Sequence, residues 1–271
     1  MNQLIENRIK MPKQQDKQRE LEMFNVPRED SYDQHDDLFH HTIEARMDIH
    51  AQPLLSGRHR VLEAGCGTGA FSRHFIKRLQ GRAVWDTIGV DIAPAMVDWN
   101  NRHPQDFFTS RVGDLENADL FPAETFDLVL CPMVLHHFPD PRLALRNIAH
   151  WLRPGGYLYI LEPNGSSPVH RLSKFIRRSL EVIVGKEYTK RFATVNETDH
   201  SMRSYWHWLS DLGLEFRHKE TILLLAPDRP VGIINWVRYF MYKAVAPLGQ
   251  PCVGNIIIVL AQKCEVKKDP A

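Results

Sequence analysis

The chain has 271 residues, 43% of them apolar and 25% charged, with a formal net charge of +1. That is ample for a full core and suits one α/β domain with insertions, and it gives no global pull toward nucleic acid or anionic membrane. Cys66, Cys131, Cys252 and Cys264 show neither zinc spacing nor a disulfide framework, so reduced thiols are expected. The first 25 residues are polar and charged, and no apolar stretch reaches the ~18 residues of a spanning helix. A cytoplasmic protein without a signal peptide or membrane span is the expectation.

Residues 1–30 are rich in Gln, Lys, Glu and Asp and suggest a frayed helix. Residues 32–52 read as a helix with Leu38, His41, Ile43 and Met47 on its buried side. His35, His40 and His41 lack metal spacing and read as surface and edge histidines, while Tyr32 lies where a lid could close. The next stretch, Val61-Leu62-Glu63-Ala64-Gly65-Cys66-Gly67-Thr68-Gly69, is a strand, a loop stripped of side chains and the start of a helix. Glycine permits positive φ and lets a bound molecule lie against backbone N–H groups. A bare turn needs neither three glycines nor Glu63, so a cofactor site is the reading.

From there apolar runs alternate with amphipathic ones. Strands are predicted at 60–64, 86–91, 108–112, 126–131, 157–162, 215–224 and 255–262, and helices near 70–80, 94–102, 141–152, 170–184 and 201–212. The pattern predicts a mostly parallel α/β sheet, whose ligands bind beyond the carboxyl ends of the strands. Residues with chemistry stand at those ends. Asp91 follows the second strand, suited to accept hydrogen bonds from ribose hydroxyls, and Pro94 opens the next helix. Gly113 and Asp114 follow the third strand, and Cys131 to Asp140 the fourth, with Asp140 as helix cap and Pro141 as first helical residue. Leu152 to Gly156 ends that helix and leads to a strand closing on Glu162.

Gly65, Gly67 and Ala70 satisfy the dinucleotide-binding pattern G-x-G-x-x-G/A, which alone is a weak signal. Glu63 two residues ahead, the third glycine at 69, Asp114 and Pro154-Gly155-Gly156 point elsewhere. Together with Leu135-His136-His137-Phe138-Pro139-Asp140, the set resembles the class I S-adenosylmethionine-dependent methyltransferases, in the group acting on small molecules. The likeness is strong over 59–164 and loose to 263; it is specific for fold and cofactor and poorly so for substrate. It implies a doubly wound, Rossmann-like seven-stranded sheet with an antiparallel last strand at 255–263. An N-terminal helical lid segment (1–55) would precede a methyltransferase domain (56–265) with helical insertions near 165–200 and 228–250.

The resemblance also implies an S-adenosyl-L-methionine site. Glu63 and the backbone at Gly65, Gly67 and Gly69 would hold the methionine and ribose portion, and Asp91 the ribose hydroxyls. Ile92 would pack on the adenine, Asp114 take its amino group, Leu115 lie on the ring, and Cys131 and Pro132 line the methionine end. A hydroxyl acceptor needs a base, and histidine is the usual one. His136 and His137 are the catalytic candidates, His136 first, because plant phenolic O-methyltransferases carry His-Asp-Trp-Ser-Asp in the corresponding place. This chain has His for that Asp and Phe for that Trp, and in many relatives the His pair packs the start of the following helix; both readings stay open.

Amino-group methylation goes with Asn/Asp-Pro-Pro-Tyr/Phe, which Cys131-Pro132-Met133-Val134 does not match. Glu162-Pro163-Asn164 is too thin a cluster for metal-dependent transfer, so no metal is expected. The helix near 170–184 sets Leu172, Phe175, Ile176, Leu180 and Ile183 against Arg171, Lys174, Arg177 and Arg178. A core-capping helix with a solvated basic face is the first reading, a lid or a surface for phosphate or an acidic lipid head the second. In 198–209, some of His200, Tyr205, Trp206, His207 and Trp208 are placed to face a pocket. The apolar run 231–248 would pack on its own domain or a second copy in a homodimer, with docking on a bilayer or over an apolar substrate as alternatives.

The expectation is methyl transfer to a hydroxyl of a small or amphipathic, lipid-like acceptor, with no nucleic-acid partner. Carbon methylation of an activated ring is the alternative. An oxidoreductase and a module that binds cofactor without turnover are the rivals of other classes.

Overall fold

In the computed structural model the described residues are 17–18, 21–22, 24–25, 46, 50–54, 56–79, 83–172, 174–175, 179, 198–223, 240, 244 and 253–265. Seven strands form one sheet: β1 (Arg58–Ala64), β2 (Val84–Asp91), β3 (Phe108–Val112), β4 (Phe126–Pro132), β5 (Leu152–Pro163), β6 (Leu214–Ile222) and β7 (Ile256–Lys263). Between them lie α1 (Ala70–Leu79), α2 (Pro94–Arg102), α3 (Arg142–Trp151) and α4 (Met202–Asp211). The strand order is β3-β2-β1-β4-β5-β7-β6. β7 alone runs against the rest, inserted between β5 and β6, as expected of the last strand.

Alternation of side chains divides the core in two. Leu62, Val129, Leu158, Ile257 and Val259 face α3 and α4, where Leu145, Ile148, Tyr205 and Leu209 close the layer. Val61, Leu128, Leu130, Tyr159, Ile258 and Leu260 face the other way, against Phe75 and Ile76 of α1 and against Ala51 and Leu54. A central sheet buried on both faces explains why its strands read as continuous apolar runs.

Three expectations need correction. The helix before β5 stops at Trp151, and the strand starts at once with Leu152 opposite Phe126. The register then jumps to Leu128 opposite Tyr157, so Arg153 to Gly156 bulge out of the strand instead of leading into it. Asp140 does accept from the Arg142 N–H, at 3.0 Å, but Pro141 is the capping residue and the helix begins after it. Lys174 is not solvated; its ammonium pairs with Asp199 at 2.6 Å, whereas Leu172 and Phe175, expected against the core, are 46% and 67% exposed. Tyr32, the histidines at 35, 40 and 41, most of 176–197 and nearly all of 231–248 lie outside the described residues. Among the described residues no helix is long and apolar enough to cross a membrane.

Candidate active site

The site begins where β1 runs out. Gly65, Gly67 and Gly69 all adopt positive φ, at 65°, 49° and 70°. A Cβ at Gly65 would stand 2.2 Å from Val134 Cγ2, so the loop after β4 can approach only a glycine. A Cβ at Gly67 would meet nothing within 4 Å, which leaves the backbone face open to a ligand. The loop is held from below. Cys66 N–H donates to the Val90 carbonyl at 3.0 Å, and Gly67 N–H to Asp91 Oδ2 at 2.8 Å. Asn100 of α2, buried, donates from Nδ2 to the Gly67 carbonyl at 2.8 Å and accepts from Arg73 at 3.2 Å.

Glu63 is 1% exposed, and its Oε2 has no hydrogen-bond partner. Burial lifts its carboxyl from 4.5 to about 8, with the neighbouring Ser72 pulling the other way. Asp91 spends one oxygen on Gly67 and the other on the Ala93 N–H, also at 2.8 Å. Desolvation raises its pKa against those backbone donors. Each oxygen keeps a second lone pair for an incoming hydroxyl. Ile92, half-buried, follows it. Asp114 accepts from the Glu116 N–H at 2.9 Å and pairs with Lys17 Nζ at 2.7 Å; Lys17 also pairs with Glu116.

Two expected wall residues are core residues instead. Cys131 is 0% exposed and packs in the α3 layer, where burial pushes its thiol well up. Leu115 is buried in the same layer, with its carbonyl accepting from Asn147 at 2.9 Å. With Cys131 turned inward, the half-buried surface at that strand end belongs to Pro132 and Met133. Met133 has φ of 55°, a left-handed conformation that a methionine adopts at a cost, and its N–H donates to the Leu161 carbonyl at 2.7 Å.

Past Met133 the chain turns over the end of β5. Glu162, fully buried, accepts the N–H groups of Val134 at 2.7 Å, Leu135 at 2.6 Å and His136 at 3.3 Å. The same carboxylate meets His136 Nδ1 at 2.7 Å. A carboxylate only accepts, so the ring proton sits on Nδ1 and the basic lone pair on Nε2. His137 lies beside it, tilted, at 4.1 Å between centroids and meets Phe24 edge-on at 5.2 Å. Burial and His136 lower its pKa to about 3. An imidazole that weak cannot hold an acceptor's proton near neutrality. His200 joins the far side through Thr198, whose hydroxyl lies 2.9 Å from His200 Nε2 and 3.1 Å from the His136 carbonyl.

The expected residues at the ends of β1, β2 and β4 thus come together, and Glu162, Asn100, Met133 and Lys17 join them unannounced. Only Glu162 had been weighed, as a metal ligand.

Residues 28–219 match the family model described as a methyltransferase domain. The ubiquinone biosynthesis O-methyltransferase of Coxiella burnetii (strain Dugway 5J108-111) is 27% identical over 161 residues, 59% of this chain and 62% of that protein. The protein of the same name from Xanthomonas axonopodis pv. citri (strain 306) is 31% identical over 135 residues, 49% of this chain and 51% of the other. The chain thus matches about half to three fifths of the length of these relatives. Among solved structures, an S-adenosylmethionine-dependent methyltransferase from Mesorhizobium loti aligns with a TM-score of 0.55 at 18% identity, over 81% of this chain and 96% of that one. The [4+2]-cyclase SpnF aligns at 0.54 and 16% identity, over 82% and 81%. These likenesses show the fold, and the cyclase illustrates that the fold does not dictate the reaction.

Proposed function

The chain belongs to the methyltransferase domain family, and from that premise we propose that it moves a methyl group from S-adenosyl-L-methionine to a hydroxyl of a small, amphipathic acceptor. The observation that carries the hydroxyl is the His136–Glu162 pair, a base fixed in one tautomer by a buried carboxylate. The relatives named as O-methyltransferases agree with it.

The residues present fit the cofactor. The unpartnered Glu63 Oε2 and the open face of Gly67 offer an acceptor and a bare backbone to one end of the molecule. Asp91 supplies its remaining lone pairs to the ribose, Ile92 an apolar edge, and Asp114 an acceptor for an amino group. When bound, S-adenosylmethionine supplies a methyl group already activated on a sulfonium. The protein's share is alignment and proton removal. Glu162 orients the His136 ring and stabilises the imidazolium once Nε2 has taken the acceptor's proton. His137 stays neutral and packs the base in place.

Lys17, Phe24 and Asn25 fit the role of a lid. Lys17 touches Asp114, Asn25 Oδ1 accepts from the Ala95 N–H at 2.9 Å, and Phe24 touches His137. These contacts run across the ends of β2, β3 and β4. The exposed Leu172 and Phe175, downstream of Glu162, favour an acceptor with an apolar portion.

The test is a pair of variants assayed with labelled donor against phenolic acceptors. His136→Ala and Glu162→Gln should each lower turnover about 10²- to 10⁴-fold, the usual worth of a positioned base. S-adenosylhomocysteine binding should remain within about threefold of wild type, since neither residue carries the cofactor. Undiminished turnover in His136→Ala would place the base elsewhere.

A further inference from the structure

We propose that His50, His218 and Glu220 form a binding site for a divalent transition-metal ion of the zinc class, which pins the segment ahead of β1 to the β6 edge of the sheet. The donors come from distant parts of the chain. His218 and Glu220 stand two apart on β6 and so project from the same face. His218 lies opposite Leu260 of β7, which lies opposite Tyr159 of β5, and that row belongs to the α1 layer. His50, buried on this face, reaches the cluster from the stretch just before Ala51 and Leu54.

Glu220 Oε1 lies 3.3 Å from His50 Nε2 and 3.7 Å from His218 Nε2, and the imidazole centroids are 4.0 Å apart. One donor atom from each of the three residues falls within a span of 4.8 Å. Two ligands each about 2.1 Å from a tetrahedral zinc ion stand roughly 3.4 Å apart, the spacing found here. Glu220 Oε1 and His218 Nε2, which face one another, are both buried with no hydrogen-bond partner. The hydroxyl of Tyr159, whose ring lies 5.9 Å from His50, is likewise buried and unpartnered. A native fold rarely gathers that many orphaned polar atoms, and an ion among them is one of the few things that satisfies several at once.

The donor set also selects the ion. Two imidazoles and one carboxylate suit zinc, and its neighbours iron, nickel and copper, rather than the oxygen-seeking magnesium and calcium. Arg46 Nη1 sits 3.4 Å from the other carboxylate oxygen, Oε2, and so keeps Oε1 turned toward the histidines. Three protein ligands leave a fourth position, which water can fill. Among the described residues β6 is an edge of the sheet, so an ion here would fasten chain across an edge strand.

The experiment uses the full chain, stripped with chelator, loaded with zinc chloride and dialysed, with metal counted by mass spectrometry. Wild type should retain one equivalent and melt several degrees higher with zinc than without. His218→Ala and Glu220→Gln should each retain less than a tenth of an equivalent and lose the zinc-dependent shift. His207→Ala, an exposed histidine elsewhere, should behave as wild type. S-adenosylhomocysteine titration of the two ligand variants reports their folding and keeps this outcome separate from that of the methyltransferase reading. No stoichiometric zinc in wild type, or retention equal to wild type in both ligand variants, would overturn the site.

Discussion

The glycine loop and the His136–Glu162 pair meet at the same end of the sheet but are built in opposite ways. The loop works through backbone: its essential groups are N–H and C=O within a few consecutive residues, steadied by Asp91 and Asn100. The pair works through two side chains 26 residues apart, brought together because Pro132 stands opposite Leu161. Binding by backbone needs an absence of side chains, which composition records directly. Proton transfer needs one side chain aimed by another, and that depends on strand register.

The sharpest way to break this contrast is Gly65→Val. A branched side chain at φ of 65°, with its Cβ 2.2 Å from Val134, has to displace the loop that carries His136. Overpacking and left-handed strain together should cost about 3 kcal/mol or more. Calorimetry should show no cofactor binding, a melt should show clear destabilisation, and turnover should vanish with them. If turnover alone suffers, the two halves are less coupled than the contact implies.

Asp91→Ala is the next largest. It removes the acceptor of the Gly67 and Ala93 N–H groups together with the proposed ribose ligand. Hydrogen bonds to a charged group are worth about 1.5–3 kcal/mol each, so S-adenosylhomocysteine should bind at least ~100-fold more weakly. Affinity equal to wild type would sink the assignment of Asp91 to the cofactor.

Glu63→Gln concerns pH. The folded carboxyl titrates near 8 and the unfolded one near 4.5. The native state therefore keeps a proton that the unfolded chain has released, so this group's contribution to stability is largest below 4.5. It declines as pH climbs to 8 and is flat beyond. The melting temperature of Glu63→Gln should thus gain on wild type between pH 5 and pH 9, and a constant gap would mean that Glu63 titrates normally.

Much of this was legible in advance. The strands and the line of residues Glu63, Gly67 and Asp91 follow from apolar runs punctuated by glycine and acid, and the reversed β7 from the methyltransferase resemblance. What escaped was whatever needs three dimensions to define. Glu162 gives no local sign that its carboxylate will be filled by three amides of another loop. Asn100 reads as an ordinary polar helix residue until its amide is seen under Gly67. The resemblance places Cys131 at the methionine end, yet its side chain packs in the core. Leu172 and Phe175 looked like a buried stripe because periodicity tells which residues share a face, not what that face meets. The expectation of no metal rests on the thin Glu162-Pro163-Asn164 cluster, and no spacing in the sequence links His50 to His218 and Glu220.

The triple donation onto Glu162 ties the loop after β4 to the sheet as firmly as a strand. The amides of Val134 and Leu135 belong to no strand, yet they are bonded to the last turn-point of β5. Their exchange with solvent deuterium should therefore be as slow as that of the β4–β5 ladder itself, far slower than for a surface loop.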